Sequence, residues 1–258
     1  MARSRRLPRS FYARPAEALA RDLLGLFLVR RVRAGSTGEA GEAAKGEAAK
    51  GEAAKGEAAR GEARVAGRIV EVEAYVGPHD LACHAAKGLT GRTRVMFGPP
   101  GHAYVYLIYG RSHCFNVVCE REGFPAAVLV RALEPAEGVT VPTDGPGKLS
   151  RALGIDMDDN TRDLTGDTLW LEERPGAAAA PIELVATPRI GIDYAGEWVG
   201  APLRFVDGRS AWLSKRVPGS PRPSARAPLI APAAAPHATQ GRPGALVRGR
   251  VDAARRRS

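Results

Sequence analysis

Residues 68–84 read RIVEVEAYVGPHDLACH, and the reading of this stretch decides the fold. Its first half, residues 68–75, alternates as a half-buried strand does, with Val and Ile suited to the pleated conformation. A period of two sends Glu71, Glu73 and Tyr75 to one face and Val70, Val72 and Ala74 to the other. The valine face is core. The opposite face offers two carboxylates beside a phenol, and Gly77-Pro78 then ends the strand in a loop carrying Asp80 and His84. A carboxylate, a phenol and an imidazole at a strand-to-loop edge suit acid–base work on a flat substrate. The same residues also fit a solvated strand face with a surface loop.

Outward from this stretch, the chain has strong strand patterns at residues 104–109 (YVYLIY) and 125–135 (PAAVLVRALEP), and further strands at 26–32, 168–172 and 182–186. Alternation puts Tyr104 and Tyr106 on one face of their strand and Tyr109 on the other. Arg131 is a lone cation in an apolar strand and demands a buried partner, for which Glu73 is the natural candidate. Residues 15–24 read as a short helix with Pro and Glu in its first turn and Gly25 as its stop. A second helix follows the loop DGPG in DGPGKLSRALGID. That loop is no Walker A motif, because Leu149 stands where Ser or Thr must follow Lys148.

Length and charge set the limits. The 258 residues include no apolar run of about eighteen, so no helix spans a membrane, and the basic N-terminus lacks the apolar stretch of a secretory signal. Cys83, Cys114 and Cys119 form no CxxC pair and match no zinc spacing, so they read as reduced thiols in a cytoplasmic protein. Asp156, Asp158 and Asn160 begin like a calcium loop, but Thr161 occupies the glycine position and Asp167 the glutamate position, so no metal is expected. Of the net charge of +10, residues 1–15 supply +5 and residues 216–258 supply +8, leaving the body at −3. Two segments fall outside the expected domain of residues 7–215, a basic disordered N-terminus (1–6) and a disordered Arg/Pro/Ala-rich tail (216–258), and a low-complexity GEAAK-repeat insert (38–62) lies within it. In the insert, a glycine every five residues costs about 1 kcal/mol against alanine, more than the 0.2–0.5 kcal/mol of each Glu–Lys pair, so it reads as a flexible hairpin tip.

The blocks RIVEVEAYVGP, His84, MFGPPGHAYVYLIYG, Asn116, VLVRALEP and GPGKLSRALGI occur together in order, and in this the chain resembles the alkyladenine (3-methyladenine) DNA glycosylase family over roughly residues 7–215. The resemblance implies an α+β fold: a single compact domain with a curved, mainly antiparallel β-sheet flanked by helices, distinct from the helix-hairpin-helix glycosylases. It implies a cytoplasmic, nucleoid-associated monomer that removes alkylated or deaminated purines from double-stranded DNA with water and without a cofactor. Carried over by position, Glu73 resembles the base that activates the water and Arg131 the residue that holds water and carboxylate. Tyr75, His84 and Tyr106 resemble the walls that stack the flipped base, Tyr109 the wedge that enters the duplex, and Asn116 the pocket-floor residue that rejects ordinary guanine. Arg111 and Ser112 follow the wedge where the family more often has an apolar residue. Glu71 shares the face of Glu73, and the resemblance alone chooses between them. Two other readings use the same residues: a sugar-processing hydrolase with Glu71 and Glu73 as its acid and base, and a non-catalytic nucleic-acid-binding domain of similar fold.

Overall fold

The computed structural model describes residues 4–33, 62–108, 110–174 and 181–221. The central stretch forms the second half of the longest strand, β3 (Glu62–Tyr75), numbered after β1 (Arg5–Arg6) and β2 (Phe27–Arg33). The remaining strands are β4 (Ala103–Ile108), β5 (Ser112–Val118), β6 (Ala127–Pro135), β7 (Leu169–Glu173), β8 (Leu184–Thr187) and β9 (Arg204–Asp207). Together they make one curled antiparallel sheet in the order β1-β7-β2-β3-β6-β5-β4, with β9 joined to β3 and β8 to β9. With three α-helices among the described residues, α1 (Arg9–Tyr12), α2 (Ala16–Leu23) and α3 (Pro146–Leu153), this is an α+β domain dominated by its sheet.

One face of the sheet is closed by the two longer helices. Ala16, Leu19, Ala20 and Leu23 recur at helical spacing on α2 and are all buried, as are Leu149 and Leu153 on α3. They pack with Ile69, Val72, Ala74, Phe115 and Phe205 into the main core. Pro146 opens α3, and Gly154 closes it in the left-handed conformation at φ 63°, where a side chain would be strained.

β3 changes partners at its middle. Along one edge it pairs with β6 from Gly67 to Tyr75; along the other it pairs first with β2, up to Arg68, and then with β9 from Glu71 to Glu73. At the changeover the ladder is irregular. From Ile69 to Glu71 strand β3 advances two residues against one on β6, and from Glu71 to Val72 the reverse holds, leaving Val70 and Arg131 without ladder partners. This corrects the simple alternation: Ile69, Val72 and Ala74 enter the main core, whereas Val70 packs with Ala132, Val206, Leu213 and Val217. A strict period of two cannot survive an extra residue in the strand.

Three boundaries also move. Arg5 and Arg6, expected in a disordered terminus, pair with Glu173 and Glu172 of β7, and Arg6 lies 4.4 Å from the ring centroid of Trp170. Their carboxylate and aromatic partners lie far along the chain, which is why local composition misses them. The 38–62 insert lies outside the described residues except Glu62, which opens β3 opposite Arg33 of β2. The domain does not close at Lys215 either: Val217 and Ser220 are buried, and only residues 222–258 of the expected tail lie outside the described residues. A chain ending at Lys215 is therefore expected to lose about 1.5 kcal/mol from Val217 alone, whereas one ending at Pro221 melts with the full-length protein. Thermal unfolding of the two truncations checks this. No helix among the described residues is long and apolar enough to cross a membrane.

Candidate active site

Where β3, β6 and β9 meet, four charged side chains are almost withdrawn from water: Glu71 and Glu73 at 0% exposure, Arg204 at 2% and Arg131 at 9%. Two carboxylates and two guanidinium groups balance, which makes the burial tolerable. Arg131 spans both acids, donating from Nε to Glu71 Oε1 at 3.0 Å and from Nη1 to Glu73 Oε2 at 3.2 Å. The expected Arg131–Glu73 pair is thus present, with Glu71 as a second partner. Arg131 is the β6 residue left without a ladder partner at this irregularity.

The two acids differ in what surrounds them. Glu71 also accepts from Arg204 Nε at 2.8 Å, from the Ser214 amide at 2.5 Å and from the Ser214 hydroxyl at 2.6 Å. With the bond from Arg131 it accepts four, three at Oε1 and one at Oε2, against three on Glu73. Glu73 accepts three bonds: from Tyr75 OH at 3.0 Å and Arg131 at Oε2, and from the Ile190 amide at Oε1, 2.8 Å away. A carboxylate has about four acceptor sites, so one remains, on Oε1. Burial raises the Glu73 carboxyl above its usual range and outweighs the opposing pull of Arg131, the Ile190 amide and Tyr75. Burial also pushes the Tyr75 phenol well above its ordinary value, so it stays protonated and donates to Glu73.

In front of this network lies a pocket of about 530 Å³, within the range of roughly 300–1,000 Å³ usual for small-ligand sites. Tyr75, His84, Tyr106, Asn116 and Arg131 all line it, so the fold brings together every candidate site residue except Glu73, which lies behind Tyr75, Arg131 and Ile190, and Tyr109. Tyr109 falls outside the described residues. His84 and Tyr106 meet edge to face at 4.7 Å, and His84 Nδ1 lies 2.8 Å from the Tyr104 hydroxyl. Burial, then Arg92 and Lys87, lower the His84 pKa to about 4, so the imidazole is neutral at physiological pH. Asn116 donates from Nδ2 to the carbonyls of Tyr104 (2.9 Å) and Cys114 (3.4 Å), which orients its amide oxygen away from them.

Several members of the site escape a reading by sequence. Tyr104 and Tyr106 share a face as expected, and Tyr104 also lines the pocket. Arg92, in a loop that reads as a solvated turn, lies 4.8 Å from the Tyr106 ring centroid. Asp80 and Arg189 form a fully buried ion pair behind Tyr75. The Ile190 amide, Arg204 and Ser214 carry no motif at all; lone arginines beside apolar residues, as at 189 and 204, are the one available signal. Leu107, Ile108 and Tyr194 line the pocket while remaining 44%, 36% and 69% exposed, so its mouth is apolar. Among the described residues, no group of three or more His, Cys, Asp or Glu side chains is placed to hold a metal ion.

A curled sheet cupping an aromatic pocket over a buried carboxylate, together with the relatives of the chain, defines the class: a DNA glycosylase, hydrolysing N-glycosyl bonds. A protein of Myxococcus xanthus is 48% identical over 86% of this chain and 98% of its own length. One of Methanocella arvoryzae is 45% identical over 83% and 98%, and one of Legionella pneumophila 44% identical over 82% and 99%. All three bear the name "Putative 3-methyladenine DNA glycosylase". The methylpurine-DNA glycosylase family matches residues 55–211, and the chain belongs to that family.

Proposed function

We propose that this protein removes alkylated or deaminated purines, such as 3-methyladenine, 7-methylguanine and hypoxanthine, from duplex DNA by flipping the nucleotide into the pocket and hydrolysing its glycosidic bond. The observation that carries this reading is Glu73 Oε1, which accepts one bond, from the amide of pocket-lining Ile190, behind an aromatic wall. Chemistry on a base requires its removal from the stack, at a cost of a few kcal/mol. Tyr75, His84 and Tyr106 repay part of it by stacking, worth about 1–3 kcal/mol per base. Water accepted at Oε1 attacks C1′ and gives its proton to Glu73, while the C1′–N9 electron pair leaves with the purine. The carboxylate also faces the positive charge that builds on the sugar. Arg131 holds Glu73 in place, and Asn116 presents its amide oxygen to the edge of the base.

The sugar-hydrolase reading needs two working carboxylates, and Glu71 is tied into four bonds from Arg131, Arg204 and Ser214. A passive binding domain has no need for a buried, hydrogen-bonded Glu73. The proposed chemistry is hydrolysis that leaves an abasic site with the strand intact, in keeping with a pocket that no lysine among the described residues lines. We assign the wedge to Tyr109, next to the exposed Leu107 and Ile108. Tyr109→Ser is expected to weaken binding to damaged duplex about tenfold, or about 1.4 kcal/mol, in a titration against intact duplex. The reading as a whole is tested by incubating the protein with duplexes containing each lesion. Release of free base, with strand breakage only after alkali, is the expected result; no base release from any of them by the folded protein overturns it.

A further inference from the structure

The Arg189–Asp80 pair is built too elaborately, and too near Glu73, to be a generic tie. Both side chains are fully buried, and the contact is bidentate: Nη1 to Oδ2 at 2.5 Å and Nη2 to Oδ1 at 2.8 Å. Arg189 Nη1 also donates to the Ala74 carbonyl at 2.9 Å, at the end of β3, while its Nε has no partner among the described residues. Asp80 in turn accepts the amides of Val76 (3.2 Å) and Ala82 (3.0 Å), which fixes the loop leading to His84. The pair therefore clamps three segments: the end of β3, that loop, and the run from Arg189 that forms a pocket wall.

Two of the clamped groups belong to the proposed site. The residue after Arg189 is Ile190, whose amide meets Glu73 Oε1 at 2.8 Å. The guanidinium carbon of Arg189 lies 4.8 Å from the Tyr75 ring centroid, and Arg189 itself does not line the pocket. We propose that Arg189, locked by Asp80, is a positioning residue for base excision: through the Ile190 amide it holds the charge of Glu73, and through the Tyr75 ring it sets the stacking wall. This rests on the reading of Glu73 as the base. The other ionisable groups that act on Glu73 are Arg131 from β6, Glu71 and Tyr75 from β3 and Cys114 from β5. None of them contacts the Ile190 amide.

Lysine keeps the charge of Arg189 but cannot reproduce its planar fork, so Arg189→Lys loosens the clamp without emptying it. Loosening the Ile190 amide removes a bond that favours the ionised carboxylate, so the Glu73 carboxyl rises and the acid limb of excision moves to higher pH. For Arg189→Lys on saturating damaged duplex, the single-turnover rate is expected to fall about tenfold or more at neutral pH. The acid limb should move up by about half a pH unit or more, with affinity for undamaged duplex nearly unchanged. Asp80→Asn, which keeps the shape of the partner, is measured alongside and should shift the limb the same way. A folded Arg189→Lys variant with an unmoved acid limb overturns the proposal. So does unfolding of both variants, which makes the pair purely structural. Glu73→Gln in the same assay separates the two ideas: if it excises like wild type, the assignment of the base fails; if it is inactive and Arg189→Lys is unaffected, only the positioning role fails.

Discussion

Glu73→Gln is expected to leave the protein folded and bound to damaged duplex while base release falls at least about a hundredfold. The substitution keeps volume and retains an acceptor for the Ile190 amide, and Arg131 retains Glu71. What disappears is the negative charge and the capacity to take a proton from water. Stability follows from the raised Glu73 carboxyl. A group whose folded pKa lies above its unfolded value favours the folded state below the unfolded pKa and loses that contribution as pH rises through the folded one. Above the folded pKa of Glu73 this contribution is absent, and Glu73→Gln should melt no lower than wild type there. Below the unfolded pKa wild type regains the contribution. Melting temperatures across this window and single-turnover base release check both statements, and a variant that still excises at the wild-type rate removes Glu73 from the chemistry.

How far this site is legible in sequence depends on how local its causes are. The strands over 68–75, 104–108 and 127–135 and the helices after Pro15 and Gly145 announce themselves, because alternation, helical spacing and end signals are properties of neighbouring residues. Arg131 is legible for a different reason: a charge in an apolar strand demands a partner, and Glu73 is a nearby candidate. The bulge that leaves Val70 and Arg131 unpaired is not legible, since it arises where β2 gives way to β9 beside β3. Nor is the Arg189–Asp80 clamp, whose partners lie 109 residues apart, each in an ordinary-looking loop. The choice between Glu71 and Glu73 falls in the same class. On the strand they look equivalent, and the distinction comes from Arg204, Ser214 and Ile190, all supplied by the last third of the described chain.

That distinction makes Glu71 the site of the largest expected loss of stability. Glu71→Ala strips an acceptor from Arg131 Nε, Arg204 Nε, and the amide and hydroxyl of Ser214. It also leaves two buried guanidinium groups facing Glu73 as the one remaining carboxylate of the cluster. Breaking a buried ion pair by removing one partner costs about 3–5 kcal/mol. At about 2–4 °C per kcal/mol for a domain of this size, the melting temperature should fall on the order of 10 °C. Ser214 is part of the loss because its bonds to Glu71 tie the segment that includes Leu213 and Val217 back onto β3. Glu71→Gln retains an oxygen for one or two of these donors and should be milder in melting, with excision close to wild type in the folded protein. Glu71 thus supports the platform on which Arg131 is held, whereas the proposed reaction assigns the attacking water to Glu73. If Glu71→Gln proves folded and inactive while Glu73→Gln retains activity, the two roles are exchanged, and the free lone pair on Glu73 Oε1 has no part in the reaction.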